Sequence, residues 1–265
     1  MKVAFKMKKF LFLDLVFILL FCFSCSTQKV SNDSAPSEAN SREYQVGAYL
    51  WFQHSGEYKA LCYQAYNLAQ LQLDRDLKTK HNKKRALVFD IDETVLDNSI
   101  GGAYEIKNNL KWSPEILTKW IKVQAAEAIP GAKDFIEYAV SKGVEIIYIS
   151  NRGISELDDT YKNLKRLGIP AKKENFYFLN KGRSKEERRL EVLSKFEVVL
   201  FLGDNLADFH RDWDDKLSTE RRSLVDTHRQ DFGYKFIILP NPLYGDWESS
   251  LPKNKNRMDS LKTRY

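Results

Sequence analysis

The chain is poor in cysteine, with three in 265 residues: Cys22, Cys25 and Cys62. Cys22 and Cys25 close an N-terminal apolar stretch, which leaves Cys62 without a partner, so no intramolecular disulfide is expected and the body must be held by its own core. A little over two hundred residues is long enough for that. Cys62 is open to two readings, a thiol nucleophile or one member of the stripe Tyr58, Leu61, Cys62, Ala65, Leu68 and Ala69, which recurs at helical spacing. Charge of one sign is also scarce. The formal net charge is +6, and four lysines against one aspartate in residues 1–24 account for half of it, so no nucleic-acid polymer is implied as a partner. No C-x-x-C-H is present to attach haem, and the four histidines, His54, His81, His210 and His228, are scattered. No internal repeat is visible. The longest apolar run, Phe10 to Phe23 with Asp14 inside it, is too short for a comfortable membrane span.

What is there begins with Lys2, Lys6, Lys8 and Lys9 ahead of that run, which reads as a secretory signal over residues 1–24. Ser24 immediately before Cys25 resembles the lipobox of bacterial lipoproteins, with Cys22 standing where an aliphatic residue is commoner. The expectation is lipidation of Cys25 and a place in the bacterial cell envelope, at the outer membrane, with ordinary signal cleavage nearby as the alternative. Residues 25–43, rich in Ser, Asn, Pro, Glu and Ala, read as a flexible tether, and 253–265 as a basic, solvated tail.

The central chemistry lies in Asp90-Ile91-Asp92-Glu93-Thr94, directly after the strand-like Ala86-Leu87-Val88-Phe89. Residues two apart on a strand share a face, so as the strand ends both carboxylates can meet one phosphate at the carboxyl edge of a sheet. This arrangement suits magnesium-dependent phosphoryl transfer. Three further elements follow in order: Ile146-Ile147-Tyr148-Ile149 ending in Ser150, then Lys185 at a helix start, then Val198 to Leu202 opening into Gly203, Asp204 and Asp208. Singly each has a plain structural reading. A serine after a strand is often a cap, Lys185 is one of 42 basic residues, and Asp208 could cap a helix. Lys181 competes with Lys185, because it too follows a strand-like run.

The full first motif, Phe89 to Ser99, together with Leu50 to Tyr58, Ile129-Pro130-Gly131-Ala132 and Leu239 to Trp247, resembles the class C acid phosphatases, bacterial lipoproteins of the haloacid dehalogenase (HAD) superfamily. The likeness runs from about Tyr44 to Trp247. It implies Mg²⁺ as cofactor, small-molecule phosphate monoesters as substrates, including nucleoside 5'-monophosphates and aryl phosphates, and a membrane reached through the lipid anchor. By the same resemblance Asp90 is the nucleophile that forms an aspartyl-phosphate, and Asp92 is the general acid and then base. Mg²⁺ is held by Asp90, Asp204 and the backbone carbonyl of Asp92. Ser150 and Lys185 bind the phosphoryl group, and Asp208 orients Lys185 or a metal-bound water. Transfer of phosphate to an alcohol shares the intermediate and stays open, as does a surface protein binding a haem-type ligand on the same fold.

Strand and helix signals alternate after a helical segment at 44–80 broken at Ser55-Gly56. Strands are predicted at 86–89, 144–149, 175–179, 196–202 and 234–239, and helices at 132–141 and 156–167, with Gly143 and Gly168 placed to cap them. The fold class is α/β: a HAD-like, Rossmann-type parallel sheet flanked by helices, within a domain at 44–252. A small, mainly helical cap is expected from about 44–80 and 101–129. Trp51, Tyr104, Trp112, Trp120, Tyr244 and Trp247 fall where a cap would cover the site and could stack on a flat leaving group, with Tyr104 and Tyr244 as the chosen candidates.

Overall fold

Apolar runs of four or five residues, rich in Val, Ile, Leu and Phe, set the sheet. The structure is a computed structural model and describes residues 42–252 and 257–264. The signal segment, Cys25 and nearly all of the tether lie outside them, as do residues 253–256. Five parallel strands, β1 (Arg85–Phe89), β4 (Glu145–Gly153), β5 (Phe176–Leu179), β6 (Glu197–Gly203) and β7 (Phe236–Ile238), stand in the order β5-β4-β1-β6-β7. Leu87, Phe89, Ile147, Tyr148, Leu200 and Leu202 are buried, as expected of strands covered on both faces.

Helices cover both faces. On one, α2 (Gly56–Asp76) packs against β7 and α5 (Ala132–Ser141), and its stripe Tyr58, Cys62, Ala65, Ala69 and Leu73 is buried in the larger core. Cys62 is a core residue, with burial pushing its thiol up to about 11. That removes the nucleophile reading, since a thiolate is needed for attack. On the other face, α7 (Lys185–Lys195) packs against β4 and β6. Ser184 starts α7 with a reciprocal cap: its Oγ accepts from the Glu187 N–H at 3.1 Å, and the Glu187 carboxylate accepts from the Ser184 N–H at 2.7 Å. Lys185 is thereby fixed as the first helical residue.

The segment between β1 and β4 contains α3 (Ser99–Lys107) and α4 (Pro114–Val123), the latter begun by Ser113 with Pro114 in the first turn. It also carries a short antiparallel ribbon absent from the sequence reading, β2 (Leu96–Asp97) paired with β3 (Glu127–Ala128). Two residues per strand are too few to leave an alternating pattern. α1 (Val46–His54) lies against α3, so within 44–80 it is α1 that borders these helices. β4 runs four residues past its predicted end, with a register irregularity between Ser150 and Gly153 that places Ser150 inside the strand. Among the described residues, no helix is long and apolar enough to cross a membrane.

Candidate active site

β1 is the central strand, so the residue that follows it leaves the sheet at its carboxyl edge with neighbours on both sides. The Asp90 N–H is tied to the Leu202 carbonyl at 2.9 Å, which fixes Asp90 against β6. The chain then turns back at once: Val95 and Leu96 donate to the Ile91 carbonyl, and Glu93 adopts φ 54°, the left-handed region a tight turn needs. Asp90 and Asp92 both face a cavity of about 940 Å³, shared with Ser150, Arg152, Lys185, Asp204 and Asp208.

The ammonium of Lys185 lies 2.6 Å from Asp90 Oδ1 and 2.5 Å from Asp208 Oδ1. Burial opposes its charge, but Asp208 and Asp90 more than offset that and hold it above the usual lysine range. Lys181 is exposed in the preceding turn. Asp208 is held from its other oxygen by the Asn205 N–H at 2.9 Å, and it presses against Gly203 so closely that a Cβ there would fall 2.3 Å from Asp208 Oδ2. The approach of Asp208 to the strand end is the reason for glycine at 203.

Asp92 points elsewhere. Arg152, buried at 3 % exposure, grips its carboxylate with Nε at 3.1 and 3.2 Å and Nη2 at 2.7 Å, while Asn98 Nδ2 donates to it at 2.8 Å and Ser150 Oγ stands at 3.5 Å. Trp120 Nε1 donates to Asn98 Oδ1 at 2.8 Å, linking the α4 aromatic to this pair. The sequence reading gave Arg152 and Asn98 no role. A signal existed for Arg152, since it lies two residues from Ser150 on one strand and so shares its face. For Asn98 none did.

Asp90, Asp204 and Asp208 each offer a carboxylate oxygen within 4.8 Å of the others. Burial pushes the Asp90 carboxyl up to about 7, with Lys185 pulling the other way and Asp208 and Asp92 adding to the rise. Asp204 is raised well above the usual range, by burial first and then by Asp208 and Asp90. Its hydrogen-bond partners are neutral: Asn241 Nδ2 at 2.8 Å and Thr94 Oγ1 at 3.3 Å. Three crowded carboxylates, two of them paired with one lysine and the third, Asp204, with neutral donors at the cavity, form an all-oxygen donor set suited to a hard divalent cation. The sequence-derived set takes Asp90, Asp204 and the backbone carbonyl of Asp92; the fold brings Asp208 beside the first two, and the Asp92 carboxylate, which that set leaves out, is taken by Arg152. Glu93, fully buried beside the centre, is likewise pushed well up by burial, Asp92 and Asp204, and its Oε2 has no partner.

The aromatic expectation needs correcting. Tyr244 lines the cavity, as do Tyr44, Tyr49, Trp112 and Trp120, but Tyr104 does not and is 62 % exposed. The face of α3 toward the cavity is Asn98, Gly101, Gly102 and Glu105, and a residue at 104 falls about 100° away from its neighbour at 105. Trp51 packs instead against the core, edge-on to Tyr58, and Trp247 lines a separate cavity beside Leu239 and Pro240.

A parallel sheet that gathers an aspartate-rich centre and a buried lysine at its carboxyl edge defines a hydrolase of phosphoric monoesters. The chain belongs to the class C acid phosphatases of the HAD superfamily: the model of HAD superfamily, subfamily IIIB (acid phosphatase) matches residues 16–247. A solved structure of the class C acid phosphatase from Bacillus anthracis is 45 % identical with a TM-score of 0.79, over 84 % of this chain and 98 % of that one. A crystal structure of the class C acid phosphatase from the same organism with tungstate bound is 44 % identical with a TM-score of 0.81, over 85 % and 100 %.

Proposed function

We propose that the protein is a Mg²⁺-dependent acid phosphatase that hydrolyses nucleoside 5'-monophosphates and aryl phosphates through an aspartyl-phosphate on Asp90. The observation that carries this is the Lys185 ammonium lodged between Asp90 and Asp208, with Asp204 beside them, in a cavity walled by Trp112, Trp120 and Tyr244.

Hydrolysis of a phosphate monoester is limited by charge and alignment, so the work of the site is positioning and electrostatics. Lys185 holds one oxygen of Asp90 in place and supplies fixed positive charge where the phosphoryl group arrives. Asp90 forms the new O–P bond as the bond to the leaving alkoxide breaks, and Asp92 gives that alkoxide its proton. Arg152 and Asn98 hold Asp92 in one orientation throughout. In the second half Asp92 takes a proton from water, the water oxygen bonds to phosphorus, and the Asp90–phosphorus bond breaks to release phosphate and restore both carboxyl groups. Ser150 donates to a phosphoryl oxygen. Mg²⁺, held by Asp90, Asp204 and the backbone carbonyl of Asp92 with Asp208 beside them, would supply two positive charges against those of the phosphate. The aromatic wall offers flat surfaces for a base or a phenyl ring.

Phosphate release from p-nitrophenyl phosphate and AMP, between about pH 5 and pH 7, with Mg²⁺ or with EDTA, tests the reading. Metal-dependent release that disappears in Asp90→Asn is expected, and a variant keeping even about a tenth of wild-type turnover, a loss of only about 1.4 kcal/mol, would sink the nucleophile assignment. We propose further that Cys25 carries lipid and tethers the enzyme in the cell envelope, on the outer membrane. Cys25→Ser should then abolish labelling by radioactive fatty acid and partition into detergent, and persistent labelling would reject the anchor.

A further inference from the structure

Two of the four scattered histidines are brought together by the fold, outside the phosphatase centre. His210 heads the turn Arg211–Trp213 that follows Asp208, and His228 stands at the C-terminal end of α8 (Ser218–Thr227). Asp212 lies between them, with Oδ1 3.1 Å from His210 Nδ1 and Oδ2 3.1 Å from His228 Nε2. One ligand atom from each of the three lies within 4.8 Å of the others.

The tautomers point inward. Asp231 Oδ2 is 3.1 Å from His228 Nδ1, and a carboxylate there takes the Nδ1 proton and leaves the Nε2 lone pair facing Asp212. At His210 the backbone N–H of Asp212 donates to Nδ1 at 3.3 Å, a long bond that a metal ion on the same nitrogen would replace. Two ring nitrogens and one carboxylate therefore face one another across about 3.1 Å, a gap that a proton or a metal cation can fill. A tetrahedral site with bonds of about 2.0–2.1 Å has edges of about 3.3–3.4 Å, close to the two His–Asp spacings of 3.1 Å. The His228 ring is braced against the fully buried Trp213 at 4.8 Å between centroids, while the side chains of His210 and Asp212 remain 42 % and 40 % exposed and accessible from solvent.

We propose that His210, Asp212 and His228 form a second metal site, selective for a zinc-class divalent ion, with Asp231 as the outer partner that orients His228. Imidazole nitrogen favours zinc and its transition-metal neighbours, whereas the all-oxygen set of Asp90, Asp204 and Asp208 suits Mg²⁺, so one chain carries two cation sites of different character. Zinc here ties the segment just after Asp208 to the end of α8 and steadies the loop that presents Asp208 to Lys185.

The test is titration of the purified, untagged full chain with Zn²⁺ against a chromophoric chelator, in saturating MgCl2, alongside thermal unfolding with and without Zn²⁺. One zinc equivalent is expected in wild type and in Asp204→Asn, with a rise in Tm in both. His210→Gln and His228→Gln should each weaken that equivalent by at least about tenfold, Asp231→Asn by about tenfold, and the Tm rise should vanish in both histidine variants. Their Mg²⁺-supported phosphatase activity should remain within about twofold of wild type, which reports a folded active site. Should His228→Gln fail to fold, the more exposed His210→Gln carries the test. No equivalent surviving Mg²⁺ saturation, or one retained within tenfold in His210→Gln, overturns the proposal and leaves the cluster as paired imidazolium and carboxylate groups.

Discussion

The metal-free centre should make the protein less stable as pH rises across the neutral range, and the size of the effect follows from Asp90. Its carboxyl is raised from 3.8 to about 7. Between those values the folded chain keeps a proton that the unfolded chain has released, so the stabilisation is fully present below about 3.8 and is lost as pH rises through about 7. A gap of about 3 units at 1.36 kcal/mol each gives about 4 kcal/mol as an upper figure. It belongs to the centre rather than to one residue, since burial and the charges of Lys185, Asp208 and Asp92 together set it. Urea unfolding in EDTA from about pH 4 to pH 8, for wild type and Asp90→Asn, isolates it, because asparagine has no proton to lose. Wild type should lose several kcal/mol relative to the variant over that range, at roughly 2–4 °C of Tm per kcal/mol for a chain of this size. On the proposed function Mg²⁺ would compete with the same proton, so its stabilising effect should be small near pH 4 and large near pH 8. A wild-type-minus-variant difference that stays flat, or a Mg²⁺ effect that does not grow with pH, refutes the reasoning.

Three further outcomes are expected. Gly203→Ala places a Cβ 2.3 Å from Asp208 Oδ2, so it should cost about 1–3 kcal/mol by displacing Asp208 from Lys185 and lower kcat with it; unchanged Tm and kcat would mean that Asp208 is not held where it stands. Arg152→Lys loses the forked grip on Asp92 and should lower kcat by about 10–100-fold, within the range general acid–base catalysis contributes; a wild-type kcat would remove Arg152 as the positioning residue. Glu145, whose burial is outweighed by hydrogen bonds from Lys172, Lys84 and Asn175, has its carboxyl lowered to about 2. Its stabilisation is present above about 4.5 and lost as pH falls through about 2, so Glu145→Gln should cost about 1–2 kcal/mol near pH 7, trimmed by solvent around the half-exposed lysines, and little near pH 2; a pH-independent cost would contradict the pairing.

Strands were legible because the buried parallel sheet writes itself as short apolar runs, and the termini of α5 and α6 (Leu157–Arg166) fall within a residue of the reading because Gly143 and Gly168 mark where they stop. Asp90, Asp92, Ser150, Lys185, Asp204 and Asp208 could be singled out for a related reason: each lies at or just past the carboxyl end of an apolar run or opens a helix, and topology brings those points to one edge. The rest depended on directions that spacing does not carry. That Asp92 turns to Arg152 and Asn98 is decided by the tight turn at Glu93, and that Trp120 faces the cavity while Tyr104 faces solvent is decided by the rotation of α3 and α4 about their axes, with Trp112 placed by the loop between them. Likewise His210 and His228, eighteen positions apart in sequence, meet only because α8 returns beside the turn after Asp208.

The charge around Lys185 argues for one more outcome. Asp90 and Asp208 share Lys185, Asp92 has Arg152, and Asp204 has only the neutral Asn241 and Thr94. Four carboxylates against two cations leave two negative charges over, one shared by Asp90 and Asp208 and one on Asp204, whose carboxyl is pushed well up by burial, Asp208 and Asp90. A dianionic phosphate cannot enter such a place unless protons or a divalent cation make up the difference, so the arrangement favours catalysis at the expense of the metal-free fold. Asp204→Asn keeps an oxygen to accept from Asn241 while deleting the unmatched charge. In EDTA near pH 8 it should therefore be more stable than wild type by about 1–2 kcal/mol, the range typical of relieving a strained functional site, while Mg²⁺ should no longer stabilise it and turnover should be lost. Urea unfolding of the two proteins with and without Mg²⁺ decides the matter. If Asp204→Asn is the less stable of the pair without metal, the charge on Asp204 is compensated in the fold itself and the electrostatic case for a divalent cation at this centre fails.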